Sequence, residues 1–393
     1  MVIGTGVPGW VRIRVPLANA SKIGASGNPY LPVLPEQVVM PALQPPHIVT
    51  WNVTSRCPLH CPHCYLDAGE DGRRAEVGTA GAREILRQVA GAGTSILVLS
   101  GGEPLFRKDI FGIAAYGRDL GLRMALATSG VLITGSVASK IRSAGIKKVA
   151  VSLDSAEPAR HDMFRVLEGA WERSVRSIGI CRDYGIPVQL NVTMTPENRG
   201  EIADILRLAQ GLGVRDIQLF FLVPAGRGVG LHDLSPQEYE AMIREALTIS
   251  EREGISLRPT CAPQFMRIAR EMGIHREGWY RGCIAGRRYL RICPDGEVTP
   301  CPYLPVSLGN VLSTPLSRIW EGSEVLRLLR DDEKLEGKCG ICRYRGVCGG
   351  CRARAYGVTT GSPGGCSDLH PPGQLAGNLM AEEPMCPYNP MEA

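Results

Sequence analysis

No apolar stretch in this chain comes near the ~18–20 residues needed to cross a bilayer, so no membrane span is expected. Residues 1–30 lack the charged-then-apolar layout of an export signal, and a cytoplasmic location is expected. Basic runs are missing as well. Net charge is +5, but Lys and Arg are scattered along the chain. No basic patch is interleaved with aromatics, which argues against nucleic acid as a partner. A mild positive bias suits an anionic substrate only loosely.

A length of 393 residues exceeds one ordinary domain and predicts two or three. With 44% hydrophobic and 21% charged residues, the composition is that of a soluble globular protein with material for a sizeable core. The 14 cysteines are the outlier. In a reducing compartment such a number points to metal or redox chemistry before disulfides. They are unevenly placed: three at 57–64, nine between 283 and 386, and only Cys181 and Cys261 between those groups.

Residues 1–46 are rich in Gly and Pro without sustained periodicity and read as a loosely packed N-terminal arm. From there, β-rich runs at 47–53, 95–99, 123–127, 147–153, 188–194 and 216–223 alternate with helical patterns. The helical patterns fall at 80–92, 110–120, 137–144, 170–184 and 201–212. That alternation predicts α/β architecture: βαβ units, a parallel sheet and six repeats, short of the eight of a closed barrel. A partial (β/α)6 barrel and a doubly wound open sheet both fit the count. Residues 235–252 read as a helix leaving the barrel. Beyond Cys283, Gly, Pro and Cys punctuate short segments, with one helix near 315–329. Such a texture builds little apolar core and predicts a need for metal. Residues 361–377, which include Cys366, read as an inserted loop.

Cys57, Cys61 and Cys64 lie in the run Thr54-Ser-Arg-Cys-Pro-Leu-His-Cys-Pro-His-Cys-Tyr65. The pattern is Cys-x3-Cys-x2-Cys with an aromatic residue directly after it. It follows the first predicted strand, at the carboxyl end where α/β active sites lie. A four-iron cluster normally takes four thiolates. Three would leave one iron without a protein ligand, free to bind a small molecule. The competing reading is a zinc knuckle completed by His60 or His63.

After the second predicted strand comes Ser100-Gly-Gly-Glu-Pro104. Glycines there let backbone approach a ligand closely, though they also serve in ordinary turns. Later strand ends carry Thr128-Ser-Gly130, Ser152-Leu-Asp154 and Asn191-Val-Thr193. These polar groups are placed either for a ligand or for capping and turn chemistry. Toward the C-terminus, Cys283, Gly296 and Cys301 follow a Cys-x12-Gly-x4-Cys pattern. Then come Cys339-Gly-Ile-Cys342, Cys348-Gly-Gly-Cys351 and Cys386. Paired Cys-x2-Cys units also fit two zinc ribbons. Cys181, on a predicted helix, reads as a buried free thiol.

The three-cysteine loop, followed one βαβ unit later by Gly-Gly-Glu-Pro, closely resembles the radical S-adenosylmethionine (SAM) enzymes. The C-terminal cysteines resemble the SPASM extension of that family over about 261–390. The resemblance implies a partial (β/α)6 radical SAM barrel at 47–255, after the arm at 1–46, and a cysteine-rich SPASM iron–sulfur domain at 256–393. It implies a SAM-binding [4Fe-4S] cluster on Cys57, Cys61 and Cys64, and one or two auxiliary [4Fe-4S] clusters. Gly101, Gly102, Glu103 and Pro104 are then expected to bind the amino group of SAM. Ser152, Asp154 and Thr193 are expected at its ribose and carboxylate. Cys339, Cys342, Cys348 and Cys386 are expected to hold the distal auxiliary cluster, and Cys283, Cys301 and Cys351 the proximal one. The family usually carries a further cysteine just before the position of Cys283, where this chain has Glu277-Gly-Trp-Tyr280. Cys261 or Cys293 would replace it, or the site stays open for substrate.

Several stretches resemble, more narrowly, the branch of the family that modifies haem precursors. They include Trp51-Asn-Val-Thr54, Phe220-Phe-Leu-Val-Pro-Ala-Gly-Arg227, Pro300-Cys-Pro-Tyr-Leu-Pro305 and Ala381-Glu-Glu-Pro-Met-Cys-Pro-Tyr388. That branch holds the haem synthase and didecarboxysiroheme deacetylase of the siroheme-dependent pathway, and maturases of d-type haem. The resemblance implies a 5′-deoxyadenosyl radical that abstracts hydrogen from a tetrapyrrole side chain. A propionate would then lose CO2 and one electron to leave a vinyl group, and an auxiliary cluster would accept the electron. An external donor such as a flavodoxin or ferredoxin is expected. Arg227, Arg267 and Arg281 are candidate bidentate partners for substrate carboxylates, or else surface arginines. Two other readings compete: a SPASM maturase acting on a ribosomally made peptide, and a non-enzymatic zinc scaffold. Against the first, the segment before residue 47 has no pattern for a leader-binding winged helix.

Overall fold

A computed structural model of the chain describes residues 43–361 and 369–392. Most of the arm expected at 1–46, the centre of the loop expected at 361–377, and Cys366 lie outside the described residues. The chain alternates β1 (Ile48–Asn52), α1 (Thr79–Gly91), β2 (Ile96–Ser100), α2 (Ile110–Asp119), β3 (Arg123–Thr128) and α3 (Gly135–Ser143). It continues through β4 (Lys148–Ser152), α4 (Pro158–Arg165), α5 (Ala170–Asp183), β5 (Val188–Met194), α6 (Ile202–Gly211) and β6 (Asp216–Phe221). Then come α7 (Pro236–Glu253), β7 (Ser256–Thr260) and α8 (Phe265–Glu271). Three short strands follow: β8 (Tyr289–Ile292), β9 (Glu297–Thr299) and β10 (Gly309–Asn310). The last helices are α9 (Leu316–Gly322), α10 (Glu324–Leu329), α11 (Gly337–Gly340) and α12 (Arg352–Thr360).

Local patterning explains these elements. On α1 the buried residues Ala82, Ile85, Leu86 and Val89 recur at helical spacing, as do Ile202, Ile205, Leu206 and Ala209 on α6. Helix α7 opens with a capping box between Ser235 and Glu238 and ends at Gly254 in the left-handed conformation. The strands alternate. Val149 and Val151, Leu190 and Val192, Ile217 and Leu219 are buried under the helices. Ser152, Asn191, Thr193 and Gln218 occupy the other, half-buried face. The sheet thus has an apolar outer face and a small-to-polar inner one.

The ten strands form one sheet in the order β10-β9-β8-β1-β2-β3-β4-β5-β6-β7. Every pairing from β8 to β7 is parallel, while β9 and β10 form an antiparallel edge. β1 to β6 and their helices make the expected partial (β/α)6 barrel. Three details differ from the sequence expectations. First, α7 does not leave the sheet: it is the crossover between parallel β6 and β7, and it packs on α6, β7 and α8. Second, the cysteine-rich segment does build core. Leu290, Ile292, Val298, Leu304, Val306, Trp320 and Leu326 join the same apolar cluster as Val49 and Leu97, because β8 pairs with β1. Third, the helix expected at 315–329 is broken at Ser323, whose hydroxyl caps α10.

Candidate functional site

The three-cysteine loop leaves β1 at Asn52 and folds back so that Cys57 N–H donates to Gly69 O at 2.9 Å and Gly69 N–H to Ser55 O at 3.3 Å. Cys57 and Cys61 are buried and Cys64 is half-buried. The loop is clamped from several sides. From beyond β6, Arg227 Nε donates to Cys61 O at 2.9 Å, and its Nη1 reaches Asp67 Oδ1 at 2.8 Å and Ala68 O at 2.7 Å. Gly226, with φ of 56°, lies so close that a β-carbon there would sit 2.5 Å from Cys64 O. His63 stacks on Phe164 at 4.3 Å, and burial holds its pKa down to about 3.

The Gly-Gly-Glu-Pro element serves this loop directly. A β-carbon on Gly101 would lie 2.4 Å from Thr54 O, and one on Gly102 2.3 Å from Arg56 O. Gly102 N–H donates to Thr54 O at 2.9 Å and Glu103 N–H to Arg56 O at 2.8 Å. A close approach that requires glycine is therefore made to the cysteine loop itself. The Glu103 carboxylate is wholly buried. It accepts from Thr128 Oγ1 (2.7 Å), Ser129 Oγ (2.6 Å), Ser129 N–H (3.0 Å) and Leu105 N–H (3.3 Å). Pro104 begins a short 3₁₀ turn.

Asp154 is likewise engaged within the protein. Arg165 approaches its Oδ2 with Nε at 2.6 Å and Nη2 at 2.5 Å, and Thr193 N–H donates to Oδ1 at 2.8 Å. Burial pushes the Asp154 pKa up, but Arg165 and the nearby histidines outweigh it and hold the carboxyl below its usual range. Arg165 also places Nη1 3.8 Å from Cys61 Sγ. A cation beside a thiolate stabilises its charge. Sequence reasoning missed Arg165. The one available signal was its position four residues after His161 on α4, a shared helix face. The hydroxyls of Ser152 and Thr193, at the carboxyl ends of β4 and β5, stand on the inner face without a hydrogen-bond partner among the described residues.

The C-terminal cysteines fall into two groups. Cys261, Cys283, Cys301 and Cys351 sit close enough to perturb one another's ionisation. Cys261 adopts φ of 61°, a left-handed conformation that costs an L-residue about 1–3 kcal/mol and persists only when its surroundings fix it. Its carbonyl accepts from Arg354 Nη2 at 3.0 Å. Cys339, Cys342, Cys348 and Cys386 instead line one partly open pocket together with Arg267, Lys338 and Tyr388. Cys293 belongs to neither group. It is fully buried in a small apolar cluster with Cys57, Leu59, Cys61 and Leu66, beside the N-terminal loop. Cys181 lies in the main core, where burial pushes its thiol up to about 11.

These donor sets fit iron–sulfur clusters. Burial pushes Cys57 up to about 12 and Cys301 up to about 12, so the thiols alone would stay neutral. A bound cation reverses that logic and makes thiolates of them. Among the described residues, no three His, Cys, Asp or Glu side chains converge on a point that would hold a single metal ion. A four-iron cube instead spreads its thiolates over separate irons.

The arginines singled out from the sequence are all internally paired. Arg227 holds Asp67. Arg267 pairs with Glu240 and Glu271 and lies 4.9 Å over the Tyr388 ring. Arg281 holds Asp332 and donates to Gly346 O. Their roles are in the framework, because each side chain finds its acid within reach. The two cysteine groups share another such pair. Arg354 donates to Glu383 Oε1 at 3.0 Å and to Leu222 O at 2.9 Å, while Glu383 accepts from Cys351 N–H. Glu383 N–H in turn lies 3.3 Å from Cys339 Sγ. Arg354→Met strands a buried carboxylate, so urea unfolding is expected to show a loss of about 3–5 kcal/mol, partly recovered in Arg354→Met/Glu383→Gln. An unchanged midpoint would remove the pair from the framework.

The radical SAM superfamily profile matches residues 51–209, and that of the SPASM iron–sulfur cluster-binding domain matches residues 283–343. An AdoMet-dependent heme synthase of Methanosarcina barkeri is 40% identical over 88% of this chain and 97% of its own length. One from Nitratidesulfovibrio vulgaris is 36% identical over 87% and 92%. Peptide-modifying relatives are more distant. In fold, the chain resembles Streptococcus suis SuiB bound to its precursor peptide, with a TM-score of 0.66 at 17% identity, covering 79% of this chain and 72% of that one. No helix among the described residues is long and apolar enough to cross a membrane. The chain belongs to the radical SAM superfamily: it is a radical SAM enzyme with a SPASM iron–sulfur extension, akin to the AdoMet-dependent heme synthases.

Proposed function

We propose that this enzyme modifies carboxyl-bearing side chains of a haem-precursor tetrapyrrole, by oxidative decarboxylation of propionates or removal of acetates. The observation that carries this reading is the 40% identity to a heme synthase along almost the whole of both chains. Cys57, Cys61 and Cys64 hold the SAM-binding cluster, with Gly101, Gly102, Glu103, Pro104, Ser152, Asp154 and Thr193 around SAM. Cys261, Cys283, Cys301 and Cys351 hold a proximal auxiliary cluster, and Cys339, Cys342, Cys348 and Cys386 a distal one. When bound, these groups supply a hydrogen-abstracting radical and an acceptor for one electron.

The chain's own residues have narrower tasks. Arg165, steadied by Asp154, sets a positive charge against Cys61. Arg227 and the two glycines hold the cysteine loop in place. Ser152 and Thr193 offer hydroxyls on the inner face. A cytoplasmic location and a small electron-donor protein, a flavodoxin or ferredoxin, complete the reading.

The test is a turnover assay on anaerobically reconstituted protein with SAM, reductant, and iron coproporphyrin III or didecarboxysiroheme. Mass spectrometry is expected to record loss of one CO2 and two hydrogens per propionate of the first, or loss of acetate arms from the second. 5′-Deoxyadenosine formation that never depends on either tetrapyrrole would sink the proposal.

A further inference from the structure

We propose that Arg258 is a positioning residue that seats one carboxylate of the substrate at the β7 edge of the inner face. The inference deepens the tetrapyrrole reading and rests on it. On β7, Leu257 and Pro259 are buried toward the helices, which puts Arg258 on the opposite face with Thr260. Its register partner is Gln218 of β6. Around it runs a ladder of neutral groups. Thr260 Oγ1 donates to Gln218 Oε1 at 3.3 Å, Gln218 Nε2 reaches Gln189 Oε1 at 3.5 Å, and Gln189 Nε2 donates to Asn191 Oδ1 at 2.8 Å.

Arg258 stands out within that ladder. Its guanidinium lies 5.6 Å over the Phe265 ring and, among the described residues, makes one hydrogen bond, from Nη2 to Arg281 O at 3.1 Å. No carboxylate among the described residues pairs with it. Several cations of the region are matched by contrast: Arg281 with Asp332, Arg354 with Glu383, Arg267 with Glu240, and Lys148 with Asp216. Burial depresses the Arg258 pKa, the cost of a desolvated charge without a counter-ion. A carboxylate arriving from outside supplies that counter-ion and can take the remaining donors of the fork in a bidentate pair.

The position suits such a task. Arg258 precedes Cys261 by three residues, and its carbonyl partner Arg281 precedes Cys283 by two. A carboxylate held there fixes one arm of the substrate at the rim between the inner face and the Cys261/Cys283/Cys301/Cys351 group. Another side chain is then left to face the cysteine loop at the carboxyl end of β1. A tetrapyrrole with several carboxylates fits this division between an anchored arm and a reacting one.

The test compares wild type with Arg258→Met and Arg258→Lys, matched for iron and sulfide content. Iron coproporphyrin III is titrated by its absorbance band, and KM and kcat are measured separately. Arg258→Met is expected to weaken binding by about tenfold to a hundredfold, the worth of charge-assisted hydrogen bonds. Arg258→Lys should recover part of it, since a lysine restores the charge without the fork. KM should rise more than kcat falls. If wild type binds iron coproporphyrin III and both variants bind it within threefold as well, the assignment of Arg258 is overturned. If wild type itself binds no tetrapyrrole, the functional reading beneath it fails instead, and the assignment falls with it.

Discussion

Cys57→Ala, reconstituted anaerobically, is expected to form no 5′-deoxyadenosine above background and to carry about four fewer irons per chain than wild type. The fold should survive, because the loop is held by backbone contacts that do not involve this thiol: Gly102 N–H to Thr54 O, Glu103 N–H to Arg56 O, and the Arg227 clamp on Cys61 O. Unchanged circular dichroism of the metal-free chain would therefore separate loss of a ligand from loss of structure. Cys181→Ala is the matched control, a core thiol with no cysteine neighbour in its electrostatic surroundings, and should leave iron content and SAM cleavage intact. Cys293 makes a second control informative. It packs in the same small apolar cluster as Cys57 and Cys61, so residual iron in Cys57→Ala that disappears in Cys57→Ala/Cys293→Ala would mark it as a substitute ligand. Sustained SAM cleavage by the double variant would refute the assignment of the loop.

The second large effect concerns the fourth ligand of the proximal group. Cys261→Gly is expected to lose up to about four irons, with the corresponding electron paramagnetic signal, whereas Cys293→Ala should lose none. Glycine is the substitution of choice because it accepts φ of 61° without the penalty that a β-carbon brings. The backbone at 261, which Arg354 holds through the carbonyl, is thus kept while the thiol is removed. A metal-free Cys261→Gly chain should unfold at the same urea concentration as metal-free wild type or a higher one. Full iron content in Cys261→Gly would leave that cluster with three cysteine ligands and an open iron.

The first six strands were legible to within about two residues, since alternation and helical period are local properties of the chain. β7 and β8 were not. β7 contains Pro259, which argues against a strand; it is tolerated because β7 is the edge of the sheet. β8 is four residues in a Gly- and Cys-rich stretch, and its partner β1 lies some 240 positions earlier, so no local pattern announces the pairing. The cysteine motif was readable because thiol spacing is itself the signal. The contact of Gly101 and Gly102 with the cysteine loop was not legible, because a glycine reveals that something comes close, not what. Arg165 reaches a sulfur 104 residues away, and the pairings of Arg227 with Asp67, Arg267 with Glu240 and Arg281 with Asp332 were not legible because those acids are distant in sequence; only Glu271, four residues after Arg267 on α8, was within local reach.

β8 also sets a distance. Cys283 and Cys301 flank the β8–β9 hairpin, and β8 is hydrogen-bonded to β1, the strand that delivers Cys57. Between the two sites, Tyr65 meets Tyr303 edge to face at 5.3 Å. The spacing of the two sites is thus ruled by neighbouring strands about 4.8 Å apart and not by a tether. Chain flexing that would open and close a linked pair of domains leaves this ruler unstretched. A foreign C-terminal segment could then be grafted on only if it kept the register in which Trp51 pairs with Ile292.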